Sequence, residues 1–263
     1  FFASGILGAA AGLSYASLLV QAPLGLMSNG LLIPLLPTFA KLTDPSDKPE
    51  LIARIRQGLM ISTASMIVLG ALFVGLSEPL VSLFYQRGAF DNNAVELVAG
   101  ILIAYGLGMP AYLGRDILVR VFYALGDGKT PLRISIAGIG LNILFDWFLV
   151  GGPSPWGQQL PFNFGAPGLV LATTGINIIS CAALLVNLNL RLKGLPLKHW
   201  TLDTLKLLFA GISSGLIAWI LNKGVIWPTD VLGLFWEVIF SASISVCLFF
   251  LISNSLEVKE VNE

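Results

Sequence analysis

The stretch Phe122–Ser135, FYALGDGKTPLRIS, sets a compact charged turn between two long apolar runs. Its centre, GDGKT, invites comparison with a loop that holds a nucleotide phosphate. Such a loop needs a glycine five positions before the Gly-Lys pair and a soluble strand ahead of it. Counting back from Gly128 reaches Tyr123, and the run before it is apolar with Pro110 inside. The turn therefore reads as a hinge between two helices. Gly126, Asp127 and Gly128 end the first, and Thr130-Pro131 opens the second. Lys129 and Arg133 then hold the hairpin at a membrane face.

Working outward, the composition supports membrane helices. The chain of 263 residues is 56% hydrophobic and only 11% charged. A soluble domain carries about 25% charged residues, so this chain lacks the charge to cover an exterior in water. Basic and acidic residues cancel at fifteen each, which leaves no field for nucleic acid. Cys181 and Cys247 lie inside apolar runs, and His199 has no partner in sequence. No metal-ligand spacing exists, no cofactor is expected, and nothing resembles a catalytic dyad. The start FFASG has neither Met nor a basic leader region and reads as a fragment or a trimmed start.

A helix needs roughly 20 apolar residues to cross the hydrocarbon. The uncharged runs place seven spans at approximately 8–40, 57–77, 94–124, 129–150, 166–191, 200–222 and 231–255. No ten-residue alternation suggests a barrel. The fold class is an all-α polytopic membrane protein. Residues 1–40 carry no charge and are too long for one upright helix, with Pro23, Pro34 and Pro37 inside. They form two short spans, or the end of one helix followed by a single broken helix. Of the fifteen basic residues, all but Arg87 and Lys223 fall on one side of these spans. The positive-inside rule puts that side, the GDGKT turn and the C-terminus in the cytoplasm.

Three segments carry a family likeness. FYALGDGKTP, with Gly126, Asp127 and Pro131, resembles the cytoplasmic hairpin of the MurJ (MviN) lipid II flippases, within the multidrug/oligosaccharidyl-lipid/polysaccharide exporter superfamily. EPLVSLFYQRGAFD, with Arg87, Gly88 and Phe90, is similar to that family's periplasmic segment. YASLLVQAPLGLMSNGLLIPLLPTFAKL is similar to its proline-rich helix. The resemblance implies fourteen helices in two six-helix lobes plus a final pair. This chain then matches from the tail of the seventh helix onward, as the C-terminal lobe (residues 1–193) and the last pair (residues 194–263), with the N-terminal lobe a missing partner. It also implies one broken helix in the first run, and a bacterial inner membrane location. Relatives often read YADR where this chain reads YASL, so Leu18 stands at a position that is often Arg.

Ionisable groups inside a bilayer mark function or a wet cavity. Candidates for a substrate cavity are Gln21, Ser28 and Asn29 in the proline-rich run, Arg115 and Asp116, and Asn142 with Asp146 one turn on. Arg115 either lines the cavity or snorkels to the cytosolic surface, and Asp146 is either cavity-lining or interfacial. Arg115 and Asp116 diverge by about 100° on a helix and are not expected to face each other. Pro23, Pro34, Pro37 and Pro110 are candidate hinges. The resemblance implies a flippase for lipid II, an undecaprenyl-pyrophosphate-type anionic lipid. Its tail would rest in a groove of the last two spans, and an ion gradient or membrane potential would drive it. The alternatives are another exporter of the same superfamily, or a non-transporting scaffold for cell-wall enzymes. The topology predicts that Trp156→Cys is labelled from outside intact cells and Lys129→Cys is not. The reverse pattern would overturn it.

Overall fold

The structure, a computed structural model, describes residues 2–42, 44–151, 162–227 and 230–256. Trp156 and Lys259, used above to place the two faces, lie outside the described residues. With no water in the hydrocarbon, every backbone donor and acceptor must be satisfied within the chain, which favours long helices. Among the described residues, seven helices are long and apolar enough to span: α1 (Ala9–Lys41), α2 (Lys48–Gly75), α4 (Asn92–Ala124), α5 (Lys129–Leu149), α6 (Ala166–Leu192), α7 (Leu197–Gly224) and α8 (Val231–Ser255). A short helix, α3 (Ser77–Tyr85), joins α2 to α4.

The expected spans are recovered, with one boundary revised. α2 begins at Lys48 rather than near residue 57. Hydropathy finds where a helix enters lipid, not where its hydrogen bonds begin. The charged first turns of α2 carry a Glu50–Arg54 pair at 3.7 Å and an Arg56–Asp203 pair at 2.9 Å to α7.

The first run is also revised. Neither two short spans nor a broken helix is present: α1 is one continuous helix of 33 residues with Pro23, Pro34 and Pro37 inside it. Each proline removes one i→i−4 donor, but isolated losses leave the neighbouring turns bonded. Thr38 also donates its hydroxyl to the Pro34 carbonyl at 2.9 Å. α1 is seated near its ends. Ala9, Gly12, Ala16 and Val20 are buried, with Gly12 beside Ile101 and Leu97 of α4, and Phe39 is buried at the other end. Between them the helix stands clear, with Gln21, Leu26 and Asn29 exposed.

α4 is the central helix, packed against α1, α2 and α6; α5 lies outside α6, α7 outside α2, and α8 against α7. Helices in lipid gain no hydrophobic drive from meeting, so close approach of small residues does the work. A Cβ at Gly106 would come within 2.8 Å of the Gly70 carbonyl, and one at Gly75 within 2.7 Å of the Gly215 carbonyl. α8 turns a stripe of Gly233, Glu237, Ser241, Ser245 and Ser253 inward. From that stripe Ser245 donates to the Ser214 carbonyl of α7 at 3.1 Å.

The GDGKT turn closes in a Schellman arrangement. Asp127 N–H bonds the Phe122 carbonyl at 2.9 Å and Gly126 N–H that of Tyr123 at 3.0 Å, with Gly126 at φ +72°. The Asp127 carboxylate accepts from the N–H groups of Lys129 (3.1 Å) and Thr130 (3.0 Å) and from the Thr130 hydroxyl (2.8 Å). It also pairs with Arg191 at the end of α6 at 2.9 Å, and Arg191 donates to the Leu125 carbonyl at 2.9 Å. The Thr130 N–H first, then its hydroxyl and Arg191, holds this carboxyl below its usual range. The amides that would cradle a phosphate are thus occupied by Asp127.

Two outcomes follow at the hairpin. Gly126→Val lowers the thermal midpoint through the left-handed backbone, by about 1–2 kcal/mol, while Gly126→Asn lowers it less; equal midpoints would contradict this. The Asp127 contribution is present above the unfolded carboxyl value of about 4 and is lost as pH falls through its lower folded value. Asp127→Asn should therefore flatten the acid limb of the stability profile, and an unchanged limb would count against it.

Candidate functional site

Two polar cavities meet at Arg115, nine residues before the end of α4 at Ala124. The first, about 320 Å³, lies between α1 (Gln21, Gly25, Ser28), α4 (Tyr112, Arg115, Asp116) and Asn177 of α6. The second, about 500 Å³, lies between α5 (Ser135, Ile139, Asn142), α6 (Thr173, Asn177, Ser180) and the same Arg115. The Arg115 guanidinium donates to Ser135 Oγ at 3.0 Å and lies 3.8 Å from Asp116 Oδ1. Neighbours on a helix were not expected to approach each other. The flexible Arg115 stem brings its charged end back across the helix, although 3.8 Å is too long for a hydrogen bond.

The candidate residues divide clearly. Gln21, Ser28, Arg115 and Asp116 converge on the first cavity, and Asn142 joins Arg115 in the second. Asp146 lines neither, but its Oδ2 accepts from the Asn142 amide at 2.8 Å, and its Oδ1 is buried without a partner. Asn29 is exposed and lines neither of these two cavities. Leu18 is 60% exposed and falls on the same α1 face as Gln21, Gly25 and Ser28.

Ser135, Tyr112, Thr173, Asn177 and Ser180 also line these cavities and are not among the candidates named from the sequence. The spacing 173, 177, 180 puts the latter three on one face of α6. That signal was available; the cavity opposite them was not.

Pro110 lies elsewhere, with Leu107 and Leu208, where two apolar grooves of about 540 and 480 Å³ meet. One runs between α7 and α2–α4, ending at Trp219. The other runs between α7 and α2, α4 and α6, ending at Trp200. Both of these grooves are lined by α7 and not by α8. The inward stripe of α8 is spent on packing, and its apolar face, with Trp236, Phe240 and Leu251, points outward.

The RGAF segment sits at the opposite end from the GDGKT turn. Arg87 is exposed, Gly88 has φ +61°, and Phe90 packs edge-on against Tyr15 of α1 with centroids 5.3 Å apart. Tyr85 completes the cluster, donating its hydroxyl to the Tyr15 carbonyl at 3.1 Å. Among the described residues, no group of three or more His, Cys, Asp or Glu is placed to hold a metal ion.

Comparison with known proteins adds four findings. The family model for the lipid II flippase MurJ matches residues 1–257. A relative from Synechocystis, described as a probable lipid II flippase MurJ, is 45% identical over 227 residues, covering 86% of this chain and 40% of its own length. The lipid II flippase MurJ of Burkholderia cenocepacia is 30% identical over 218 residues, covering 81% and 39%. A solved structure of a lipid II flippase MurJ in an inward closed conformation superposes with a TM-score of 0.72 at 24% identity, over 95% of this chain and 47% of that one. The chain spans about 40% of the length of the curated relatives it matches.

Proposed function

The chain belongs to the lipid II flippase MurJ family, and from that premise we propose that it forms the C-terminal half of a flippase for a lipid-linked pyrophosphate. The transported species is the anionic peptidoglycan precursor, and the mechanism is alternating access. The single observation that supports this most is Arg115, set within the α4 span on the wall of two polar cavities. An arginine there costs about 2.5–3.5 kcal/mol on insertion scales. An anionic headgroup in the cavity gives that charge a counter-ion beyond the Asp116 carboxylate at 3.8 Å.

The remaining assignments belong to the same reading. The GDGKT end faces the cytoplasm, since the basic residues gather there. The headgroup enters beside α1, whose prolines and unpacked middle let it flex between its seated ends. The polyprenyl tail lies in the α7 groove. Leu18, on the cavity-lining face of α1, contributes no charge, and Arg115 on α4 supplies it from the facing wall. Residues 1–193 act as the transporter lobe and residues 194–263 as the lipid-facing pair. Coupling is to an ion gradient or the membrane potential; the unpartnered Asp146 oxygen is the acceptor such a cation would use.

The test is Arg115→Leu in the complete protein, with flipping of a fluorescent lipid-linked pyrophosphate followed in proteoliposomes. Losing a charged hydrogen bond of about 1.5–3 kcal/mol should weaken headgroup binding by about tenfold or more. Arg115→Lys should retain part of the rate. Unchanged flipping at normal membrane levels would remove Arg115 from the transport path.

A further inference from the structure

One guanidinium serves two cavities. Among the described residues that line them, the charged groups are Arg115 and Asp116; the rest are neutral amides, hydroxyls and apolar groups. The electrostatic potential of both chambers therefore depends on where one flexible side chain points. At present it is held toward the α5 side by the Ser135 hydroxyl at 3.0 Å. That bond is the one side-chain hydrogen bond between α4 and α5 seen among the described residues. The Ser135 hydroxyl offers the guanidinium one bond to a neutral acceptor, whereas a phosphate oxyanion adds opposite charge and can accept two parallel N–H bonds. Asp116 lies 3.8 Å from the guanidinium, too long for a hydrogen bond, and Arg115 also lines the cavity on the α1 side.

We propose that Arg115 couples the two cavities: an anion lodged between α1 and α4 draws the guanidinium off Ser135, lowering the positive potential between α5 and α6 and releasing α5 from α4. This rests on the first cavity taking a pyrophosphate-type anion. The second cavity runs along α5 from Ser135 to Asn142, about 10 Å of helix, so its far end reaches the Asn142–Asp146 pair. Withdrawing the charge favours a cation at that end, and by linkage a cation there favours the anion. Loading of the headgroup and uptake of a coupling ion become one thermodynamic event, with Ser135 as the resting acceptor. Ser135 is a positioning residue in this scheme, acting through Arg115.

The experiment reads the potential of the second cavity directly. Ile139 lines it and is 65% exposed, so Ile139→Cys is made in the complete protein, with Cys181 and Cys247 replaced by alanine. The rate of modification by trimethylammonium-ethyl methanethiosulfonate is divided by that for neutral methyl methanethiosulfonate. Farnesyl pyrophosphate is the probe, and its binding is measured separately by calorimetry. Moving one charge a few ångströms away in a partly wet cavity should raise the ratio about threefold when the probe binds. Adding Ser135→Ala, which keeps the charge and removes its tether, should raise the ratio without probe and shrink the further rise. Binding with an unchanged ratio, or a Ser135→Ala ratio equal to its parent's, overturns the coupling alone. No binding of the probe overturns the coupling together with the reading of the first cavity.

Discussion

The absence of water in the hydrocarbon is the constraint from which the rest of this structure follows. Backbone groups must bond within the chain, so the runs become helices, including one of 33 residues that three prolines fail to interrupt. Apolar side chains then gain nothing by leaving lipid for one another. Association falls to contact between small residues, as where Gly70 and Gly106 bring α2 and α4 together, and Gly75 and Gly215 bring α2 and α7. The same constraint makes an arginine at depth informative, because a polar cavity must surround it.

Polar chemistry is accordingly confined to three levels. At one end, Asp127 and Arg191 tie the α4–α5 turn to α6, and Arg56 with Asp203 ties α2 to α7. At the other, the Tyr15–Tyr85–Phe90 cluster anchors α1 to the segment after α3, and Glu78 pairs with Lys223 at 2.8 Å. Between the ends, Arg115, Ser135, Asn142 and Asn177 surround the cavities. α1 is thus fixed near its extremities and free where it lines the first cavity, an arrangement suited to a helix that bends without detaching.

Much of this was legible in the residues. The uncharged runs marked seven spans because the length needed to cross the bilayer is set by its thickness. The glycine at position 126 announced a left-handed cap, and its φ of +72° bears that out. The three motif segments pointed to the family that the whole-chain match supports. Two readings were revised. Prolines were read as breaks, and Arg115 and Asp116 as diverging. The proline reading overlooked that isolated donor losses leave neighbouring turns bonded, and the spacing reading overlooked how far a flexible arginine reaches.

The chain's order of apolar runs, its punctuating glycines and its lopsided distribution of charge were enough for class, span number and hairpin, because these depend on lipid and on local backbone alone. Which polar side chains share a chamber depends on how α4, α5 and α6 rotate against one another. Ser135 and Arg115 are twenty residues apart, and no periodicity within either helix says that they touch. Only packing set by contacts such as Gly138 against Ile176 turns α5 so that Ser135 meets the guanidinium.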